Sequence, residues 1–442
     1  MHNAFYVNPD NILGVIVNTF KGKHQWLAKA YPWIIWTIAA SFFFYKYLLQ
    51  VSPSVMTDDL MRAFQVHGAG LGNLSAFYFY AYLVMQIPVG IMLDRYSPRL
   101  LTTAAIFVCS ISTFIFSQTD TFWLACLSRA LMGAGAAFAA VSCFKLAAVW
   151  FNPKRFALVS GMFMTAAMLG AVGGQMPLSI LVQNQGWRNA LEIVSVMGII
   201  LGVIYFLVLR DKPTTKPVHH SHKQEKITHL LKHIVSNKQA WALSLYSGLA
   251  FAPVSVFGGL WGVPFLEKAY QLSRTDAALA VSFIFIGFAA GAPFWGWFSD
   301  YIKRRKPVLF IGTFSALICL LIVLYSPSQI LSTLMILLFL FGFGASGFFT
   351  SFAMIRELFP LVLVATVLGI MNTFNAVFEA LFEPVVGAIL DWTWDGETLN
   401  GMHQFTLQGY HVSLALLPIS LILSLIILAV IKETHCHVIE EE

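Results

Sequence analysis

Apolar residues in this chain come in long unbroken runs. They do not alternate with polar ones as in a half-buried strand, nor do they mark one stripe of an otherwise polar helix. A hydrocarbon core about 30 Å thick takes roughly 20 apolar residues per helix. Twelve runs of that kind lie over 31–56, 70–94, 100–118, 121–150, 156–184, 187–210, 239–268, 275–298, 307–325, 328–358, 361–391 and 409–431. The pattern predicts an all-α membrane protein with twelve transmembrane helices. Ahead of them, residues 1–30 hold one short apolar run, Asn11 to Phe20, followed by Lys21, Gly22 and Lys23. It is too short to span and has no basic residues before it, so it reads as a cytoplasmic or interfacial lead-in and not as a signal peptide. The polar stretch 211–238, rich in Lys and His, separates a six-span half at 31–210 from another at 239–431, with a tail at 432–442.

Composition agrees with the pattern. With 58% hydrophobic and 11% charged residues, too little polar surface is left for a soluble protein. Charge adds orientation. Lys and Arg gather in the lead-in, in the loops after spans 2 and 8 and in the linker, whereas the opposite loops hold Arg62, Arg188, Lys268 and Arg274. Basic residues near helix ends stay on the cytoplasmic side, which places both termini inside. The net charge of +6 is then a matter of topology in the bilayer and no argument for nucleic acid. The expected location is the plasma membrane, the inner membrane in a prokaryote.

Enzyme chemistry has no foothold. HExxH, GxSxG, phosphate-loop and dinucleotide patterns are all missing, so neither catalysis nor a cofactor is expected. Cys109, Cys126, Cys143, Cys319 and Cys436 form no CxxC pair and predict no disulfide. The runs "VHHSHKQEK" (Val218 to Lys226) and "HCH" (His435 to His437) contain metal-ligand types but lie in solvated segments, so no metal site is expected.

The chain also repeats itself. "GIMLDRYSPR" follows the second span and "GWFSDYIKRRK" the eighth, each with Gly, then Asp four residues on, then a basic cluster: Gly90, Asp94, Arg95 and Arg99 in one, Gly296, Asp300, Arg304 and Arg305 in the other. The fourth span carries "RALMGAGAA", with Arg129, Gly133, Gly135 and Ala137. On these residues the chain resembles a transporter of the major facilitator superfamily, over about residues 31 to 431. The resemblance implies two pseudo-symmetric six-helix bundles. It implies that Asp94 faces the positive end of helix 11 and that Asp300 does the mirrored job at helix 5. It also puts helices 1, 4, 7 and 10 around a central pathway, which makes Tyr246 and Trp261 cavity candidates. In the fifth span, "LGAVGG" has Ala171 where the family's drug/proton antiporters carry proline, which argues against antiport. Gly133, Gly135 and Gly161 are expected to permit close helix packing.

Charges inside the spans are the strongest functional signal. Lys46 falls just past the middle of the first span, Arg129 a third of the way into the fourth, and Glu379 and Glu383 from the middle to the outer third of the eleventh. In a bilayer such groups face the interior and each other. Lys145, near an end, reaches the headgroups instead. In "FNAVFEALFEPVVG", Asn372, Asn375, Glu379 and Glu383 share an arc of about 80°, leaving the other faces apolar. Tyr78, Tyr82 and Gln86 form a comparable row on the second helix, adjacent to helix 11 in the family and within reach of the glutamates. Two carboxylates four residues apart in low dielectric repel, so the pair is expected to share a proton. The expected function is a monomeric secondary transporter moving a small polar or charged solute by alternating access with proton coupling. Its solute is an amino-acid- or peptide-like zwitterion or an organic anion, siderophore-type chelators included. The alternative from another class is a non-transporting receptor on the same fold.

Overall fold

The computed structural model describes residues 25–151, 155–209, 237–326, 330–359, 361–399 and 402–437. The lead-in through His24 and the histidine run of the linker lie outside the described residues, as does the side chain of Asp94. The chain is helical almost throughout. The first six long helices are α1 (Gln25–Val51), α2 (Gly68–Arg95), α3 (Pro98–Gln118), α4 (Phe122–Trp150), α5 (Phe156–Gly173, resuming as Met176–Gln185) and α6 (Trp187–Val208), with a short helix, Thr57–Phe64, between α1 and α2. The next six are α7 (Lys238–Val256, continuing to Tyr270), α8 (Arg274–Ile302), α9 (Lys306–Tyr325), α10 (Leu331–Ala345, continuing to Leu358), α11 (Leu361–Trp392) and α12 (Leu407–Leu414, then Leu416–Val430). Eleven stretches among the described residues are long and apolar enough to cross a membrane. The 28-residue α2 stands outside that set; its run carries Asn73, Tyr78, Tyr80, Tyr82 and Gln86. A small antiparallel pairing, Thr398↔His403 and Leu399↔Met402, lies between α11 and α12.

Local chemistry sets the ends and breaks. Pro53 stops α1 by removing a donor, and the chain tightens there into a 3-10 turn, Ser52–Val55. α3 starts with Pro98 in its first turn and the Ser97 hydroxyl accepting from Leu100 N at 3.2 Å. α7 winds into a π turn over Phe257–Trp261, and α10 into a 3-10 turn over Ser346–Phe349. Both irregular turns lie midway along their helices, where they redirect side chains.

Packing repeats with an offset of six. In the first bundle α1 packs on α5, α2 on α4, and α3 on α4 and α6; in the second, α7 packs on α11, α8 on α10, and α9 on α10 and α12. The bundles meet where α2 packs on α11 and α5 on α8. A Cβ on Gly133 would sit 1.9 Å from the Tyr78 carbonyl oxygen, and one on Gly342 1.9 Å from that of Ile284, so each bundle needs glycine at the equivalent crossing. Gly161 differs from the packing role expected of it: nothing lies within 4 Å of its would-be Cβ. Large apolar side chains such as Ile111, Leu127, Ile200, Ile336 and Ile426 point outward, the arrangement a lipid-facing belt requires.

Candidate functional site

Between the bundles lies a cavity of about 780 Å³. Its lining includes Ser160 near the start of α5, Phe144 late in α4 and Leu368 early in α11. It therefore extends from mid-bundle toward the end that carries the two repeated loops, here termed the loop end; the opposite is the far end. All four helices the family resemblance put around the pathway line it, together with α2, α5, α8 and α11.

One wall is polar. From α1 come Lys46 and Gln50, from α2 Tyr78, Tyr82 and Gln86, and from α11 Asn372, Asn375 and Glu379. The helical spacing of these residues turns each set to one face, and α2 packs directly against α11. Lys46 is 5% exposed; its Nζ donates to Gln50 Oε1 and lies 3.7 Å from the Tyr47 ring centroid and 5.1 Å from that of Tyr82. Aromatic faces thus share in holding the ammonium. Among the described residues no carboxylate comes within 4.0 Å of it, so Lys46 and Glu379 face one cavity without forming an ion pair. Asn375 Oδ1 accepts from Ser247 Oγ at 2.8 Å, which fixes its amide.

Four expected site residues stand away from this lining. Arg129 is 1% exposed, and its Nη1 and Nη2 donate to the carbonyls of Leu49 and Gln50 at 2.9 and 3.4 Å. The last carbonyls of a helix lack partners within it and carry its negative end, so the guanidinium serves as a cap on α1. It also lies 5.0 Å from the Tyr78 ring. Glu383, one turn beyond Glu379, is 1% exposed, and its Oε2 has no hydrogen-bond partner among the described residues. Trp261 donates Nε1 to the Glu383 carbonyl at 3.1 Å, and the Tyr246 hydroxyl pairs with Thr313 Oγ1 at 2.7 Å. Both aromatic residues are committed to packing α7, so neither lines the cavity. The Tyr78 hydroxyl likewise donates to the Lys46 carbonyl, at 3.3 Å, and not to a glutamate.

The described residues of the second repeated loop bind within their own half. Asp300 pairs with Arg305 of its own loop at 2.6 Å, and residues 152–154, just before α5, lie outside the described residues. Arg305 also reaches Glu357 Oε1 on α10 at 2.6 Å and Ser299 Oγ at 2.5 Å, while Glu433 accepts from the backbone N–H groups of Arg305 and Lys306 at 2.9 and 3.1 Å. Burial opposes the charge on Arg305, but the bonds to Glu357 and Asp300 outweigh it and raise the guanidinium above its ordinary range. Arg304 and Arg95 are exposed, and Gly90 and Gly296 have open space at the Cβ position. Arg99 donates Nε to the Phe206 carbonyl at 2.8 Å.

A carboxylate caps a helix across the two halves at the far end. Asp391, on α11, accepts from Gly68 N at 2.8 Å and Ala69 N at 2.7 Å, at the start of α2. Gln175, in the break of α5, donates Nε2 to Gly258 O at 2.7 Å, in the π turn of α7. Arg274 meets Asp59 at 2.7 Å. None of these was marked by the sequence reading. Nor was the second cavity wall, formed by Phe251, Phe288, Phe348, Phe349 and Phe352; its one local signal is "GFFTSF" in the tenth span.

Two bundles of repeated packing around a cavity with buried charge define a membrane carrier. The sequence profile of the Major Facilitator Superfamily matches residues 33–263 and 243–435, and the chain belongs to that family of multi-pass membrane transporters. It is 25% identical over 369 residues to the probable L-galactonate transporter of Escherichia coli K12, covering 79% of this chain and 81% of that one. To the probable galactarate/D-glucarate transporter GarP of the same organism it is 24% identical over 384 residues, 78% of this chain and 85% of the relative. Among solved structures it is similar in fold to a bacterial homolog of the human lysosomal transporter Spinster, in an inward-facing and occupied conformation. The TM-score is 0.74 at 15% identity, over 91% of this chain and 97% of that chain.

Proposed function

We propose that this protein carries a small organic anion across the membrane by alternating access, with Lys46 holding the anionic group and Glu379 carrying a coupling proton. The observation that supports this most is that Lys46 is the one cation among the described lining residues and shares the cavity with Glu379. A mobile solute can meet both groups there, whereas Arg129 and Glu383 are sealed behind them. The relatives' substrates, L-galactonate and galactarate/D-glucarate, are organic anions, which favours this class over a zwitterion. With the basic loops on the cytoplasmic side, a cavity reaching the loop end is an inward-facing state, the state given for the Spinster homolog. The far-end contacts then form the closed external gate. Alternating access requires those contacts to break while the loop end closes.

Counterflow in proteoliposomes, with aldonates, aldarates, arylcarboxylates and amino acids as solutes, tests the reading. Exchange of an anion is expected in the wild type and its loss in Lys46→Gln. Glu379→Gln keeps a hydrogen-bonding group of the same size and removes the titration, so exchange survives while accumulation driven by a pH gradient is lost. Accumulation by a stable Glu379→Gln protein sinks the coupling role. Exchange of amino acids in preference to anions sinks the anion reading, and exchange of no solute returns the chain to the receptor class.

A further inference from the structure

We infer that the transported anion is amphipathic, with one anionic head at Lys46 and an apolar, ring-sized body lying on the phenylalanine wall of α7, α8 and α10; arylcarboxylates are its simplest representatives. This rests on the transporter reading above and narrows its substrate class.

Every lining residue that α7, α8 and α10 contribute is a phenylalanine: Phe251, Phe288, and Phe348, Phe349 and Phe352. The five rings form one continuous surface. Phe251 stacks on Phe348 with centroids 5.1 Å apart and lies 5.9 Å from Phe288; Phe349 is 4.6 Å from Phe348, 5.4 Å from Phe288 and 5.7 Å from Phe352. Phe288 and Phe348 are buried behind, while Phe251, Phe349 and Phe352 keep part of their surface open. Phe348 and Phe349, in the 3-10 turn Ser346–Phe349, precede Phe352 by four and three residues, so helical spacing turns all three to one face.

The polar lining groups stand elsewhere, on α1, α2, α5 and α11. A sugar acid carries hydroxyls around its whole length, and those turned toward five phenyl rings would lose their water partners and gain none. An aromatic or alicyclic body gains from the same surface by burial and by ring-to-ring contact. Charge count points the same way. Lys46 is the one lining cation among the described residues, so a second carboxylate would be left against phenylalanine or beside Glu379.

Competition against counterflow of radiolabelled phenylacetate, with benzoate, cyclohexanecarboxylate, D-gluconate and galactarate as competitors, tests the inference. Benzoate and cyclohexanecarboxylate are expected to compete at least about tenfold better than gluconate or galactarate. Phe349→Ala and Phe352→Ala are expected to raise the half-saturating phenylacetate concentration about tenfold, with gluconate inhibition little changed. If an alanine variant does not fold, Phe352→Leu keeps the wall apolar, and it should retain cyclohexanecarboxylate while weakening phenylacetate. Gluconate competing better than benzoate overturns the amphipathic substrate and leaves the anion transporter standing. So does an equal loss for all anions in the phenylalanine variants, which marks the wall as a gate. Failure of every anion to exchange defeats the transporter reading itself.

Discussion

Among the described residues, the two ends of this molecule use polar groups in different ways. At the far end they join the halves: Asp391 caps α2, Gln175 reaches the π turn of α7, and Arg274 meets Asp59. At the loop end Arg305 binds Asp300 and Glu357 within the second half, and Arg99 binds the Phe206 carbonyl within the first. The strengths differ too. Arg305 and Glu357 have side chains 9% and 7% exposed, and a buried pair is costly to break. The far-end contacts are caps, single hydrogen bonds and a partly exposed pair, each worth about 1 kcal/mol. On the proposed cycle, the groups that separate are held weakly and those that keep each half rigid are held strongly.

The largest effect should come from breaking the strong side. Arg305→Ala leaves Glu357 buried without its cation, a loss of about 3–5 kcal/mol by analogy with other buried pairs. A marked drop in Tm of the purified protein is expected. The far end should stay closed, read as an unchanged distance between spin labels on cysteines placed at Arg62 and Lys268 of a cysteine-free protein. A label distance that shifts with the loss of Arg305 would show that the two ends are not separable in this way.

A smaller effect follows from a wedge between α2 and α11 at the far end. A Cβ on Gly72 would lie 2.5 Å from the Glu383 carbonyl oxygen and 2.7 Å from the Pro384 Cα, backbone atoms that cannot rotate away. Gly72→Ala is therefore expected to disfavour the closed far end by about 1–3 kcal/mol, lengthening the Arg62–Lys268 label distance while each half keeps its own packing. An unchanged distance with lowered Tm would mean that the helices yield within the halves instead.

The spans, the internal repeat and the polar faces of α2 and α11 were legible because each rests on a period within one segment. Contacts across the molecule were not. Arg129 reads as a site cation until α1 is seen to end beside it, with the Leu49 and Gln50 carbonyls needing a donor. Asp391 sits 323 residues from the Gly68 amide it caps, with no local motif to mark the pairing. The phenylalanine wall was hidden by abundance. Among 39 phenylalanines in an apolar chain, nothing in sequence separates a ring facing the cavity from one facing lipid. Tyr246 and Trp261 show the converse, aromatic residues with polar tips whose partners lie inside the bundle.

The smallest effect tests whether the weak end also senses pH. His403, in the α11–α12 loop, stacks on His67 of the other half with ring centroids 3.5 Å apart and 1° from parallel, and Trp394 covers its other face at 3.6 Å. Asp391 Oδ1 lies 3.7 Å from His403 Nδ1, too far for a hydrogen bond. Burial and the neighbouring His67 lower the His403 pKa, and Asp391 opposes them. A lowered pKa in the closed arrangement means that this form binds fewer protons than the separated one. The contribution to closure is complete above the ordinary histidine value of about 6.5 and is lost as pH falls from there through the lowered pKa. Acid therefore favours separation. Between about pH 8 and pH 5, the Arg62–Lys268 label distances should shift toward the open population. In His403→Gln that pH response should disappear while the Asp391 cap on α2 persists. A response of equal size in His403→Gln would assign it to other groups and leave the histidine stack a packing contact.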